Sequence, residues 1–433
     1  MKNVTQKWCG SMLVVAMGLG SATGGCGDDD MAAGTDAGVS DAGGVPDDAG
    51  SRTDSGAPAP DAGSDAGAGD DAGAPDAGPL ACVATRLLVT TSDYVTGGLG
   101  TVDLGLAAAT VMPGMAADQD TAPARLGCGG VLLEHGTGNV RIQDPASPFV
   151  TLRTINVNPA GMDFPYASNP AAVVTLSDTR AYVVRLGVSS LAVIDPTRDG
   201  AAGLVRAVDL SPLAATGDTD SVDATDAVRV GERVLVALGR YTFATVPPYA
   251  QTFPEGSVLA VVDVATDTLV DADTTTAGMQ GVALTGDNPR AGLYHDATSN
   301  RLLVGDTGAY MMLDGGIESV DLTTLRSTGF VLTEAELGGD LDAFVGADAT
   351  HAFVVAGGVL RAWNPMTDAL GATLVASDVT AILLDQGTLF VAARMGASAG
   401  IRAFRASDGV EVTPASGPVA VGSLPVYGLA AIP

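Results

Sequence analysis

Few residues in this chain have the type and spacing for chemistry. There are three histidines, His135, His295 and His351, each able in principle to hold a metal or move a proton. The run Gly396-Ala397-Ser398-Ala399-Gly400 matches the spacing of a hydrolase nucleophile elbow, which exposes its serine on a strained turn between a strand and a helix. Here apolar strand-like segments, Thr388 to Ala392 and Ile401 to Phe404, lie on both sides. The match therefore reads as a hairpin loop of small residues. Acidic residues are abundant. Asp218, Asp220, Asp223 and Asp226 lie close together, and Asp340 and Asp342 form a second group. Such carboxylates, with backbone carbonyls, suit a hard cation such as Ca2+. The glycine-containing calcium loop is absent, so solvated aspartates are the plainer reading, and no cofactor is expected.

The remaining questions concern the elements that position these groups. The N-terminus has Lys2 and Lys7, an apolar run from Met12 to Leu19, and small residues from Ser21 to Gly25. That order is the order of a secretory signal, and the apolar run is too short to cross a bilayer as a helix. Thr23-Gly24-Gly25-Cys26-Gly27 resembles the lipobox of bacterial lipoproteins, with Thr23 where that family usually has Leu. The resemblance implies acylation of Cys26 and a membrane contact through lipid alone. Ordinary signal cleavage nearby is the alternative.

Residues 26–80 are built almost wholly from Asp, Ala, Gly and Pro, with the triplet Asp-Ala-Gly occurring seven times between Asp36 and Gly78. Such a segment has too little apolar surface to offset the entropy of ordering, and a disordered tether is expected. The domain plan is thus a signal in 1–25, a lipidated Cys26 and linker in 26–80, and a folded domain in 81–433. Only Cys82 and Cys128 belong to that domain. In an oxidising compartment one disulfide between them is expected, with two buried thiols as the alternative. The formal net charge of −29 divides into −10 for residues 1–80 and −19 for the rest. An acidic domain argues against nucleic acid and against direct adhesion to anionic lipid headgroups.

From Ala81 onward one short pattern recurs: apolar residues, then Asp or a substitute, then a turn. It ends at Asp103, Asp144, Asp195, Asp263, Asp321, Asn364 and Arg405, with spacings of 41, 51, 68, 58, 43 and 41. Repeats of this length with four short strands each mark a β-propeller. One unit shows the construction: Ala171 to Leu176 inner, Ala181 to Leu186 second, Leu191 to Asp195 third, Val205 to Leu210 outer. Second strands follow at Val131 to Glu134, Arg233 to Leu238, Arg301 to Gly305, Ala352 to Ala356 and Thr388 to Ala392. Arg86 to Thr90 lacks a strand before it, and Pro425 to Ile432 is left over at the end. Pairing these two closes the ring and removes its open edges. The fold is read as an all-β, seven-bladed propeller, with six or eight blades open because the first and last units are degenerate.

The unit from Asn169-Pro170 through Ala181-Tyr182-Val183-Val184 to Leu191-Ala192-Val193-Ile194-Asp195-Pro196 resembles the YVTN-type repeat of bacterial surface-layer propellers. The likeness is good over this blade and loose over the others. Acidic spacers joined to such propellers also look like surface lipoproteins of uncharacterised function. The resemblance implies a fold and an envelope address, and no reaction. Quinone-cofactor propellers are similar in fold, but they repeat tryptophans in their blades, and after the signal this chain has only Trp363.

In this architecture loops between second and third strands share a face with loops between blades. His135 is expected in a turn on that face, and His295 and His351 in turns on the other, so the three cannot meet at one metal and read as solvated turn residues. The same face should gather aromatics: Tyr241, Phe243, Tyr249 and Phe253 in the loop Gly239 to Gly256, Tyr310 with Met311, Met312 and Leu313 in the next blade, and Phe164 and Tyr166 in the connection Asn156 to Pro170. Aromatics are only 4% of the chain. These loops read either as a recognition surface for a protein or glycan or as plugs over their own blades. The functional expectation is a monomeric binding module. An enzyme, lactonase-like or metal-dependent, would need acids or histidines entering the channel from several blades. A structural coat component would self-associate.

Overall fold

The computed structural model describes residues 82–112, 119–162, 168–216, 221–243, 251–395 and 399–433. They form seven antiparallel sheets around a common axis. The inner strands are Val426–Ile432, Thr121–Leu126, Pro170–Ser177, Ala224–Val230, Pro289–Asp296, Leu341–Gly346 and Val379–Asp385. Each touches the next, and the last returns to the first. The fold is therefore a seven-bladed β-propeller, numbered here by blade from the N-terminus. No helix among the described residues is long and apolar enough to cross a membrane.

Closure comes from the chain's last strand. Val426–Ile432 pairs antiparallel with Arg86–Ser92, setting Arg86 opposite Ile432 and Val89 opposite Leu429. Arg86–Ser92 is thus the second strand of blade 1, its inner strand coming from the far end of the sequence. No sheet edge is left at the seam.

The strand sequences follow from where the sheets sit. Both faces of a blade meet a neighbour, so the middle strands are apolar along their whole length instead of alternating. Val234, Leu235, Val236, Ala237 and Leu238 of blade 4 are all buried. Val234, Val236 and Leu238 pack towards blade 3, whereas Leu235 and Ala237 pack towards blade 5. Each of the seven gaps between blades holds one such apolar cluster.

Two blades depart from four plain strands. In blade 4 the outer position is shared by Thr268–Val270 and Val282–Ala283, with a chain excursion between them. Blade 4 also carries a small hairpin, Thr242–Phe243 with Gln251–Thr252, between its second and third strands. Blade 7 has three strands, and isolated bridges Ile401–Val419 and Phe404–Glu411 stand where its fourth would run.

A single disulfide joins Cys82 to Cys128, Cα atoms 5.4 Å apart, across 46 residues of sequence. It ties the chain entering blade 1 to the turn after the inner strand of blade 2. The Arg125 guanidinium also donates to the Cys82 carbonyl. Loop-closure entropy for that separation gives about 4 kcal/mol. The double variant Cys82→Ser/Cys128→Ser is expected to lose stability on that scale in urea melts, with the β signature of the folded state retained.

Candidate functional site

Inner strands enter the ring at the face that also carries the second-to-third strand loops. Six of the seven skip register by one or more residues at this entry. The skipped residues include Tyr427, Ala171, Thr225, Arg290, Asp342 and Thr380. A bulge re-aims the side chain it carries, and here the bulges place a mixed set of groups around the channel mouth. Two of them stitch neighbouring blades: Thr225 donates through Oγ1 to the Pro289 carbonyl and Thr380 to that of Val426, the latter at 2.8 Å. Arg290 reaches outward, its guanidinium carbon 5.6 Å from the Tyr310 ring centroid and one N–H donating to the phenol oxygen. Asp342 accepts from the Gly358 N–H at 2.8 Å. Beside the bulge of blade 4, burial pushes Asp226 up to about 6.

A second group lies between blades 1 and 2. The Tyr427 hydroxyl donates to Asp120 Oδ1 at 3.0 Å, and His135 Nδ1 is 2.9 Å from the same oxygen. Tyr94 meets the Tyr427 ring edge-on, centroids 5.7 Å apart. Burial works to raise the Asp120 carboxyl, but the bonds from His135 and Tyr427 outweigh it and hold it below the usual range. Burial and then the Asp120 charge push the Tyr427 phenol well above its ordinary value. His135 thus sits in the turn expected after the second strand, but it is a largely buried partner of Asp120 and not solvated. His295 also differs from expectation: it lies within the inner strand of blade 5, opposite Leu302. His351 sits in the expected turn, against Asp348. Among the described residues no group of three or more metal-ligating side chains is assembled.

Blade 5 has the most distinctive construction. Its second strand, Arg301–Asp306, ends at an aspartate with 0% exposure, and Glu318 and Glu334 are equally buried. Glu318 accepts from the Thr285 N–H at 2.9 Å, the Gly286 N–H at 3.2 Å and the Ser327 hydroxyl. Gly286 must be glycine, because a Cβ there would lie 2.6 Å from the Asp306 carboxyl. Neither Asp306 oxygen receives an N–H or O–H donor. Burial, then Glu318, pushes Asp306 well above the carboxylate range, which favours its protonated form beside Glu318. Glu334 accepts from the Gly315 N–H at 2.9 Å and the Leu341 N–H at 2.6 Å, joining the loop of blade 5 to blade 6.

On this base stands the loop Thr307 to Gly315. Its backbone is pinned by carboxylates: Ala309 N–H to Asp314 Oδ1 at 2.9 Å and Met311 N–H to Asp340 Oδ2 at 2.7 Å. Met311 and Leu313 have φ of 68° and 50°, in the left-handed region that side chains avoid. Met311, Met312 and Leu313 nevertheless project outward, at 77%, 64% and 43% exposure.

The aromatics of blade 4 behave differently. Tyr241 is 8% exposed, with Phe243 and Phe253 edge-on to it at 5.5 and 6.3 Å. Its N–H donates to Asp223 Oδ2 at 3.0 Å. Asp223 is itself buried, an internal acceptor for this loop. Of the two readings of this loop, recognition surface or plug, Tyr241 follows the second and is the core of its own hairpin, because a ring this size gains more by burying against two others than by facing water. Phe164, Tyr166, Tyr249, Asp218, Asp220 and Ser398 lie outside the described residues, as do Cys26 and the linker.

No protein-family model matches the chain, and no curated protein matches it. Solved structures similar to it include the computationally designed Ika8 protein, at 14% identity and TM-score 0.47, covering 81% of this chain and 92% of that one. Apo AztD from Citrobacter koseri is similar at 12% identity and TM-score 0.46, over 81% of this chain and 98% of its own. Dihydro-heme d1 dehydrogenase NirN in complex with DHE is similar at 14% and 0.48, over 79% and 65%. Likeness at this level transfers no ligand or residue role to this chain.

The Asp306 carboxyl sets a pH dependence. Between the ordinary carboxylate range and its raised folded value, the folded state holds a proton that the unfolded chain has released. Stability therefore falls as pH rises through that window. Asp306→Asn keeps a donor towards Glu318 and removes the titration. Its Tm is expected to exceed that of the unaltered protein at neutral pH, with the gain shrinking as pH falls towards about 4. A pH-independent difference would contradict this protonation state.

Proposed function

We propose that this chain is an exported, lipid-anchored propeller that binds a protein partner through the blade 5 loop. The observation that carries the reading is the exposure of Met311, Met312 and Leu313 on backbone fixed by Asp314 and Asp340. A loop with two non-glycine residues at positive φ stores strain, and strain of that kind is found where structure serves recognition. Holding the anchors in place beforehand lowers the entropy cost of association. Methionine and leucine fit an apolar pocket on a protein. Sugar recognition asks for open aromatic faces, and the described rings of blade 4 are turned on one another while Tyr310 is engaged by Arg290.

A channel hydrolase would draw on several acids or histidines at one height. The rim instead combines Asp226 and Asp342 with Arg290, Tyr427, Thr225 and Thr380, a composition that supports binding. For the anchor, the support is the signal sequence ending at Cys26 and the spacer behind it. If residues 27–80 form the coil that their composition implies, a linker of about fifty residues has a typical end-to-end distance of about 40 Å and would hold the domain clear of the membrane.

The variant Met311→Ser/Met312→Ser/Leu313→Ser is expected to stay within about 0.5 kcal/mol of the unaltered protein, because these side chains support no core. It should lose the species that photo-crosslinking from residue 310 captures in the envelope fraction. Retained crosslinks would reject the loop as the contact. Separately, Cys26→Ser should abolish palmitate incorporation and move the protein from the membrane to the soluble fraction. Unchanged labelling would reject the anchor.

A further inference from the structure

Arg185 ends the second strand of blade 3 and is 2% exposed. Its Nε donates to the Ser190 carbonyl at 3.0 Å, Nη2 donates to the Ser190 hydroxyl, and Nη1 donates to the carbonyl of Val157 in the connection from blade 2. All three acceptors are neutral. Burial is the one influence on its pKa, lowering it to about 10, and no carboxylate among the described residues offsets the charge. Arg185 is the only buried arginine among the described residues, and its hydrogen-bond partners are all uncharged. Fastening the connection to blade 3 needs hydrogen-bond donors. It does not need a positive charge, and an unpaired buried charge is costly.

The charge lies against space. Arg185 and Ser190 line a hollow of about 300 Å³ whose other walls include Pro159, Ala160, Leu204, Val205 and Ala207. Arg206 also borders it, but its guanidinium is paired with Asp267. Three of the five N–H groups of Arg185 are committed, which leaves two donors at the wall of a recess whose lining is apolar on one side and carries Asn158 and Ser190 on the other. We propose that this hollow binds a carboxylate carrying a short apolar body, with Arg185 receiving the carboxylate and the proline, leucine, valine and alanine walls receiving the body. The site lies at blades 2 and 3 and does not depend on the blade 5 loop. Two sources share this chemistry, a free short-chain acid and the C-terminus of a peptide ending in an apolar residue.

The test is calorimetric titration and thermal shift at constant ionic strength, with hexanoate against hexanamide and a leucine-ending peptide with free against amidated C-terminus. At least one of the free acids should bind saturably and raise Tm, and its uncharged counterpart should not. Binding of hexanoate points to a free metabolite, and binding of the peptide alone to a polypeptide end. Arg185→Gln should weaken binding by at least about tenfold, the loss expected for a charged hydrogen-bonding partner. Because Arg185→Gln also loosens the connection to blade 3, Ala207→Trp provides a second variant, filling the hollow while leaving Arg185 in place. It too should abolish the shift. Absence of saturable binding by both acids, equal binding of the uncharged counterparts, or full binding by Ala207→Trp would overturn the proposal.

Discussion

The structure depends on sheets packing face to face in a closed ring. A blade has no solvent face along its middle strands, so each must be apolar on both sides, and each apolar cluster is built from residues of two neighbouring blades. No blade can bury its own surface. The core is a cycle of seven shared interfaces, each weakened if its neighbour is displaced. Rigidity of this kind lets loops on one face be elaborate, because the strands beneath them do not shift.

That constraint is also why the fold was legible in the sequence. Short runs such as Val234 to Leu238 and Ala352 to Ala356, apolar throughout and bounded by turns, have few interpretations once they recur at similar intervals. The closing strand was legible because one segment at each end lacked a partner. What the sequence concealed are polar groups placed inside. Among 50 acidic residues, nothing in the local sequence separates Asp306, Glu318 and Glu334 from solvated carboxylates. Their burial depends on glycines and backbone N–H groups from other strands, such as Gly286 and Leu341. His135 looked solvated because its partner, Asp120, sits at the opposite edge of a hairpin and Tyr427 lies at the far end of the chain. Arg185 reads as an ordinary strand terminus until the connection from blade 2 covers it.

The candidate sites share a device. On the loop-bearing face, carboxylates serve as acceptors for backbone N–H groups of loops and strand entries: Glu334 for Gly315 and Leu341, Asp340 for Met311, Asp223 for Tyr241. Irregular loops leave backbone donors without strand partners, and buried donors must be satisfied. An acidic composition supplies those acceptors in quantity. Part of the negative charge of this domain is thus structural mortar.

The pairing of Val426–Ile432 with Arg86–Ser92 has a consequence in time. The first blade is complete only when a strand from the opposite end of the described domain has joined it, so ring closure waits on the most sequence-distant pairing of the fold. Contacts spanning nearly the whole domain are slow to form. Ring closure is therefore expected late in folding, and the two interfaces that flank the first blade reach their final packing only after it.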